Sequence, residues 1–199
     1  MTLKDLQEYY DSILVGKTYI YTLRPNKKKE TIEIKIKFFK ENLPHLLGIQ
    51  KVVPSYEKKL YQGKRGYEGI LNETITLEKL KGFDKQKAKK DKKIPLIEKK
   101  LMYFKLIDKL LLNCKIVKFY PDKITGFTSI NSEFILYLDE LGVRLHLGAI
   151  KNDNSKDILY YPETFIVTDI KRRGFDRFTK SPPQTYMNIE SLRIINDDE

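Results

Sequence analysis

Two hydrophobic periods run through this chain and keep to separate stretches. In "TIEIKIKFFK", apolar Ile32, Ile34, Ile36 and Phe38 alternate with charged Glu33, Lys35 and Lys37, the period of a strand with one face on a core. In "IPLIEKKLMYFKLIDKLLLNC", Ile97, Leu101, Phe104, Ile107 and Leu111 recur along one helix face, with Pro95 suited to the first turn. The order of these stretches restricts the fold most. Residues 2–14 carry Leu3, Leu6, Tyr10 and Ile13 at helical spacing behind Thr2 as N-cap, and Gly16 ends that helix. "KTYIYTLR" and "TIEIKIKFFK" flank "PNKKK" as an antiparallel hairpin. After the long helical pattern come "KIVKFY", "EFILYLD", "VRLHLGAI", "ETFIVTD" and "IESLRII", separated by turn segments. Helices and strands are not regularly interleaved, so the predicted class is α+β. An N-terminal helix and hairpin and a long central helix pack on a largely antiparallel C-terminal sheet.

With 199 residues and 41% hydrophobic content the chain can bury a sizeable core, and residues 1–199 read as one domain. A loosely patterned, Lys-rich insertion spans about 54–94. Between Lys81 and Lys100, nine lysines face three acids, a local +6 within a formal charge of +11. That excess directs attention to polyanionic partners: nucleic acid, an anionic membrane or an acidic protein. Such a run is also what a solvated helix face looks like. No apolar run approaches the roughly 20 residues of a membrane-crossing helix, and the N-terminus lacks the apolar core of a signal peptide, so a cytoplasmic protein is expected. Cys114 is the sole cysteine; it closes an apolar helix and reads as a buried thiol.

The sequence has no Walker-type phosphate loop, no dinucleotide fingerprint and no HExxH. Two histidines and one cysteine are too few for a standard zinc centre, and metal-free chemistry without a cofactor is expected. His45, in "ENLPHLLGIQK", follows a strand end. Its imidazole could accept and donate a proton near neutral pH, or could close the "PHLL" turn with a local hydrogen bond. In "YYPETFIVTDIKRR", Tyr160 and Tyr161 could stack on a base or bond a phosphate, the Thr164 hydroxyl could do the latter, and Lys171, Arg172 and Arg173 add charge. An ordinary strand entry with Phe165 and Val167 buried is the competing reading. Arg144 and His146, two apart, share one strand face opposite Val143, Leu145 and Leu147; they could hold a phosphate and move a proton, or form the polar face of a half-buried strand.

The charged, Phe-containing strand leading into "NLPHLLGI", with "YYPETFIV" about 115 residues later, resembles a phage-associated nuclease-like branch of the superfamily that groups barnase, EndoU, colicin RNases and RelE. The resemblance spans Tyr19 to Val167. It implies a compact fold of N-terminal helices against an antiparallel sheet, with metal-independent RNA cleavage as the activity. Carried over by position, His45 would be the family's histidine, and Tyr161 and Thr164 would belong to its second motif. The expected function is therefore an endoribonuclease. His45 would be its base or acid, Tyr161 or Thr164 would hold the non-bridging oxygens, and Arg144 or a lysine would offset developing charge, with His146 as the alternative proton carrier. Lys87, Lys89, Lys90, Lys92 and Lys93 are expected to attract RNA or another nucleic acid. A non-catalytic nucleic-acid-binding protein and a phage-encoded protein that engages an acidic host factor are the alternatives; an acidic neutralising protein is a further expected partner.

Overall fold

The computed structural model describes residues 2–91, 97–124, 126, 128–153, 158–171, 176–180 and 184–197, with backbone alone at 87–91. Lys92, Lys93, Pro95, Arg172 and Arg173 lie outside the described residues, as do the side chains of Lys87, Lys89 and Lys90. The chain forms two compact units, Met1–Val15 with Phe39–Leu106, and Gly16–Phe38 with Ile107–Glu199. The first is helical and the second carries the sheet.

The helical unit begins with α1 (Leu3–Ile13), started by a reciprocal capping box: the Asp5 amide donates to Thr2 Oγ1 at 3.0 Å and the Thr2 amide to Asp5 Oδ2 at 2.6 Å. Its buried stripe is Leu3, Leu6, Gln7 and Tyr10; Leu3, Leu6 and Tyr10 are the expected residues, while Ile13 is half-buried and Gln7 joins the stripe. Two single-turn helices follow, α2 (Leu43–Leu46) and α3 (Ile49–Val52), then α4 (Gly63–Leu71), α5 (Leu77–Asp91) and α6 (Ile97–Phe104). The weakly patterned stretch around 54–94 thus contains two described α-helices, α4 and α5. A Cβ at Gly66 would lie 3.0 Å from Pro44 Cβ and 2.7 Å from the Tyr61 carbonyl, so a glycine there lets α4 approach the Pro44 turn.

The second unit is a seven-stranded closed barrel built from β1 (Lys17–Pro25), β2 (Ile32–Lys37), β3 (Lys115–Lys118), β4 (Phe134–Glu140), β5 (Val143–Lys151), β6 (Leu159–Asp169) and β7 (Thr185–Asn196). The order is β1-β2-β6-β5-β4-β3-β7, returning to β1. The expected N-terminal hairpin is present, β1 pairing antiparallel with β2, and β4 forms a second hairpin with β5 through a two-residue turn at Leu141 and Gly142, both at positive φ. The sheet differs from a C-terminal antiparallel one in two ways. It incorporates the N-terminal hairpin, and β2 runs parallel to β6. Closure rests on β7, whose 12 residues pair with β1 along most of their length and with β3 at their start, covering what would otherwise be two edges.

The expected long central helix is two helices. α6 ends at Phe104, the Leu106 amide bonds back to the Tyr103 carbonyl, and α7 (Ile107–Asn113) starts in the other unit and packs on β4. All five residues of the sequence stripe are buried, so the apolar pattern is right. The break reflects two packing surfaces, one per unit. Cys114 is buried, and burial pushes its thiol up to about 12. Among the described residues no helix is long and apolar enough to cross a membrane.

Candidate functional site

In the helical unit the "NLPHLLGIQK" stretch is a double turn. Leu43, Leu46 and Leu47 are fully buried and anchor it. Gly48 stands at φ +76°, a conformation that favours glycine, and its amide closes on the His45 carbonyl at 2.9 Å. His45 is half-buried on α2, with Nδ1 3.0 Å from Gln50 Oε1. That contact orients the imidazole on the turn.

Lys100 of α6 belongs to this turn. Its Nζ donates to the Leu46 carbonyl at 3.3 Å, and its stem lies on Gly48, where a Cβ would come within 3.2 Å of Nζ. Burial, reinforced by Lys51, pushes the amine down to about 7. By sequence alone Lys100 is one more member of a basic run. Its position gave a signal: it falls three residues after Ile97 and four before Phe104, on the buried side of the helix.

In the barrel unit, Arg144 and His146 do share one face of β5, together with Tyr137 of β4 opposite His146. That face is covered rather than open. Phe178 stands edge-on to His146 at 5.6 Å between ring centres and joins a cluster with Val117, Phe119, Ile130, Ile135 and Tyr137. Arg144 grips Asp139 through two bonds of 2.5 and 2.6 Å, bonds Asp176, reaches Thr179 Oγ1 at 3.2 Å, and lies over the Tyr137 ring at 4.8 Å. The Asp139 hydrogen bonds hold the guanidinium above its ordinary range. His146 is 1% exposed, with Nε2 3.5 Å from Asp176 Oδ1, an electrostatic contact longer than a formed hydrogen bond. Burial works against ionisation of Asp176. Interactions with His146, the Thr179 hydroxyl and the Thr179 amide outweigh it and hold the carboxyl well below the usual range. Asp139, Asp176 and Thr179 were not singled out in the sequence; Asp176 lies 32 positions from Arg144 with no local pattern linking them.

The second motif runs along β6. Tyr160 is 4% exposed, its hydroxyl donates to Glu133 at 3.1 Å, and its ring meets Phe134 edge-on, so it offers little surface for a base. Tyr161 is half-buried. Thr164 is buried, and its hydroxyl makes no hydrogen bond among the described residues. Between them Glu163 accepts from the Ser132 hydroxyl and, at 3.0 Å, from the Asn131 amide. Ser132 in turn lies over Gly148, where a Cβ would sit 2.2 Å from its Oγ. Lys171 is exposed. Thus Arg144 and His146 are brought together on Asp176, Tyr161 and Thr164 share β6, and His45 belongs to the helical unit.

Comparison with curated proteins and with solved structures gives no match. A family model described as phage-Barnase-EndoU-ColicinE5/D-RelE like nuclease4 matches residues 2–194. That span takes in both units, the His45 turn and the β6 motif, so the chain belongs to this nuclease family.

Proposed function

We propose that the protein is an endoribonuclease that cleaves RNA without a metal, by attack of a 2'-oxygen on the adjacent phosphorus. The O2'–P bond forms, the P–O5' bond breaks, one proton leaves the 2'-hydroxyl and one reaches the O5' leaving group; the products are a cyclic phosphate and a 5'-hydroxyl. The observation that carries this reading is the placing of His45, half-buried on an anchored turn with its ring oriented by Gln50, within a chain of a nuclease family. Of the second motif, Tyr161 keeps surface on β6 and is the candidate for a non-bridging oxygen, whereas the Thr164 hydroxyl is buried. Arg144 is engaged by two carboxylates, which favours a lysine as the group that offsets transition-state charge. Lys87, Lys89, Lys90, Lys92 and Lys93 supply general attraction to the strand.

The test is incubation of the purified chain with end-labelled RNA in EDTA. Cyclic-phosphate ends support the reading, and intact RNA that stays bound replaces it with binding without turnover. The full engagement of Arg144 and the burial of His146 favour that second reading.

A further inference from the structure

A lysine on the packed side of a helix normally faces a carboxylate, because an unpaired cation loses hydration without recompense. Lys100 departs from this. Its described partners are one carbonyl, that of Leu46, and a like charge, Lys51. Two acids of the neighbouring elements are engaged elsewhere: Asp84 of α5 accepts from the Ile97 amide at 2.8 Å, and Glu98 pairs with Lys81 at 2.9 Å. His45 is the other titratable group on the turn. Gly48 has no side chain to keep the amine away, and its positive φ holds the turn in the shape that Lys100 covers. Lys51 is exposed and Lys100 half-buried, so the pair borders solvent.

We propose that Lys100 and Lys51, gathered at the Leu46–Gly48 turn, form a subsite for one phosphate group of a nucleic-acid strand. This rests on the reading of the chain as a nucleic-acid enzyme, and it assigns the phosphate to residues outside the acid–base machinery. An anion placed there supplies the countercharge that Lys100 lacks among the described residues. With the amine near 7 when the site is empty, phosphate binding draws in a proton. At pH 8 the empty site is mostly neutral, and uptake approaches about 0.9 proton per strand bound. Affinity then falls by up to about tenfold per pH unit above 7 and is flat below about 6.

The experiment is calorimetry of the full chain with an all-deoxy hexanucleotide, which has no 2'-hydroxyl and resists the proposed cleavage, at pH 8 in two buffers of different ionisation heat. The expected result is uptake near one proton in the wild type, no Lys100 share of it in Lys100→Arg with affinity kept, and loss of that share with weaker binding at pH 6 in Lys100→Met. Uptake below about 0.1 proton in the wild type, or unchanged uptake in Lys100→Arg, overturns the subsite. Thermal melting of both variants separates lost binding from lost fold. Proton uptake in a chain that leaves RNA intact keeps the subsite and removes the ribonuclease reading. RNA cleavage without Lys100-dependent uptake does the reverse.

Discussion

Each unit carries one histidine and one inward-set cation, and the two are treated in opposite ways. In the barrel, Arg144 is met by Asp139 and Asp176 and stacked on Tyr137, with His146 beside the same Asp176. In the helical unit, Lys100 has a carbonyl and a second lysine. A cation with its countercharge built in is a structural element, since an incoming phosphate must displace a carboxylate that costs the fold several kcal/mol to lose. A cation with no carboxylate among its described partners is disposed toward an anion from solution. The contrast assigns architecture to β5 and ligand contact to the Gly48 turn.

The largest effect expected is in the barrel. Asp176→Ala removes one of the two described acidic partners of Arg144 and the described acidic partner of His146, and should lower unfolding stability by about 3 to 5 kcal/mol in urea titration. A loss below 1 kcal/mol would mean that the cluster is dispensable and that the contrast fails on that side.

Next comes catalysis. His45→Ala should reduce single-turnover RNA cleavage by ~10²-fold or more with melting and binding nearly unchanged. If His45 only closes its turn, the same substitution shows up as a lowered melting temperature, and activity follows the folded fraction. Retained cleavage at the wild-type rate would end its role.

Gly48→Ala is expected to cost about 1 to 2 kcal/mol, because an alanine at φ +76° is strained and its Cβ presses on Lys100. It should also change the pH dependence of strand binding. Gly142→Ala, also at positive φ but with nothing near its Cβ, is the control that carries strain alone.

The two cations also predict opposite pH limits. The folded Asp176 carboxyl titrates below its unfolded value, so its contribution is present above about pH 4 and is lost as pH falls through the lower folded value. Lys100 titrates near 7 when folded and about 10.4 when unfolded. The unfolded chain therefore holds more protons between those values, and stability rises with pH across that window. Lys100→Met should flatten the rise in melting temperature between pH 7 and 10 and leave the acid limb alone. An unchanged alkaline limb would show that the amine is charged in the folded chain.

Much of the local structure was legible in the residues themselves. Thr2 and Asp5 announce α1, alternation marks β1 and β2, the Leu141–Gly142 turn joins β4 to β5, and "NLPHLLGI" with "YYPETFIV" points to the family that the whole-chain match establishes. These are short-range matters of capping, period and turn conformation, decided by residues within a few positions of one another. Arg144 and His146 on one strand face also follow from period alone. What covers that face does not, because Phe178 and Asp176 arrive from a segment with no periodic link to β5. The same limit hid the closing role of β7, the parallel β2–β6 seam and the break between α6 and α7. In each case the choice lies between partners far apart in the chain, and a local pattern compatible with both cannot make it. Lys100 stands between the two situations: its helix face was written in the sequence, but its seat against the Leu46 carbonyl and Gly48 became visible only once the turn had folded over it.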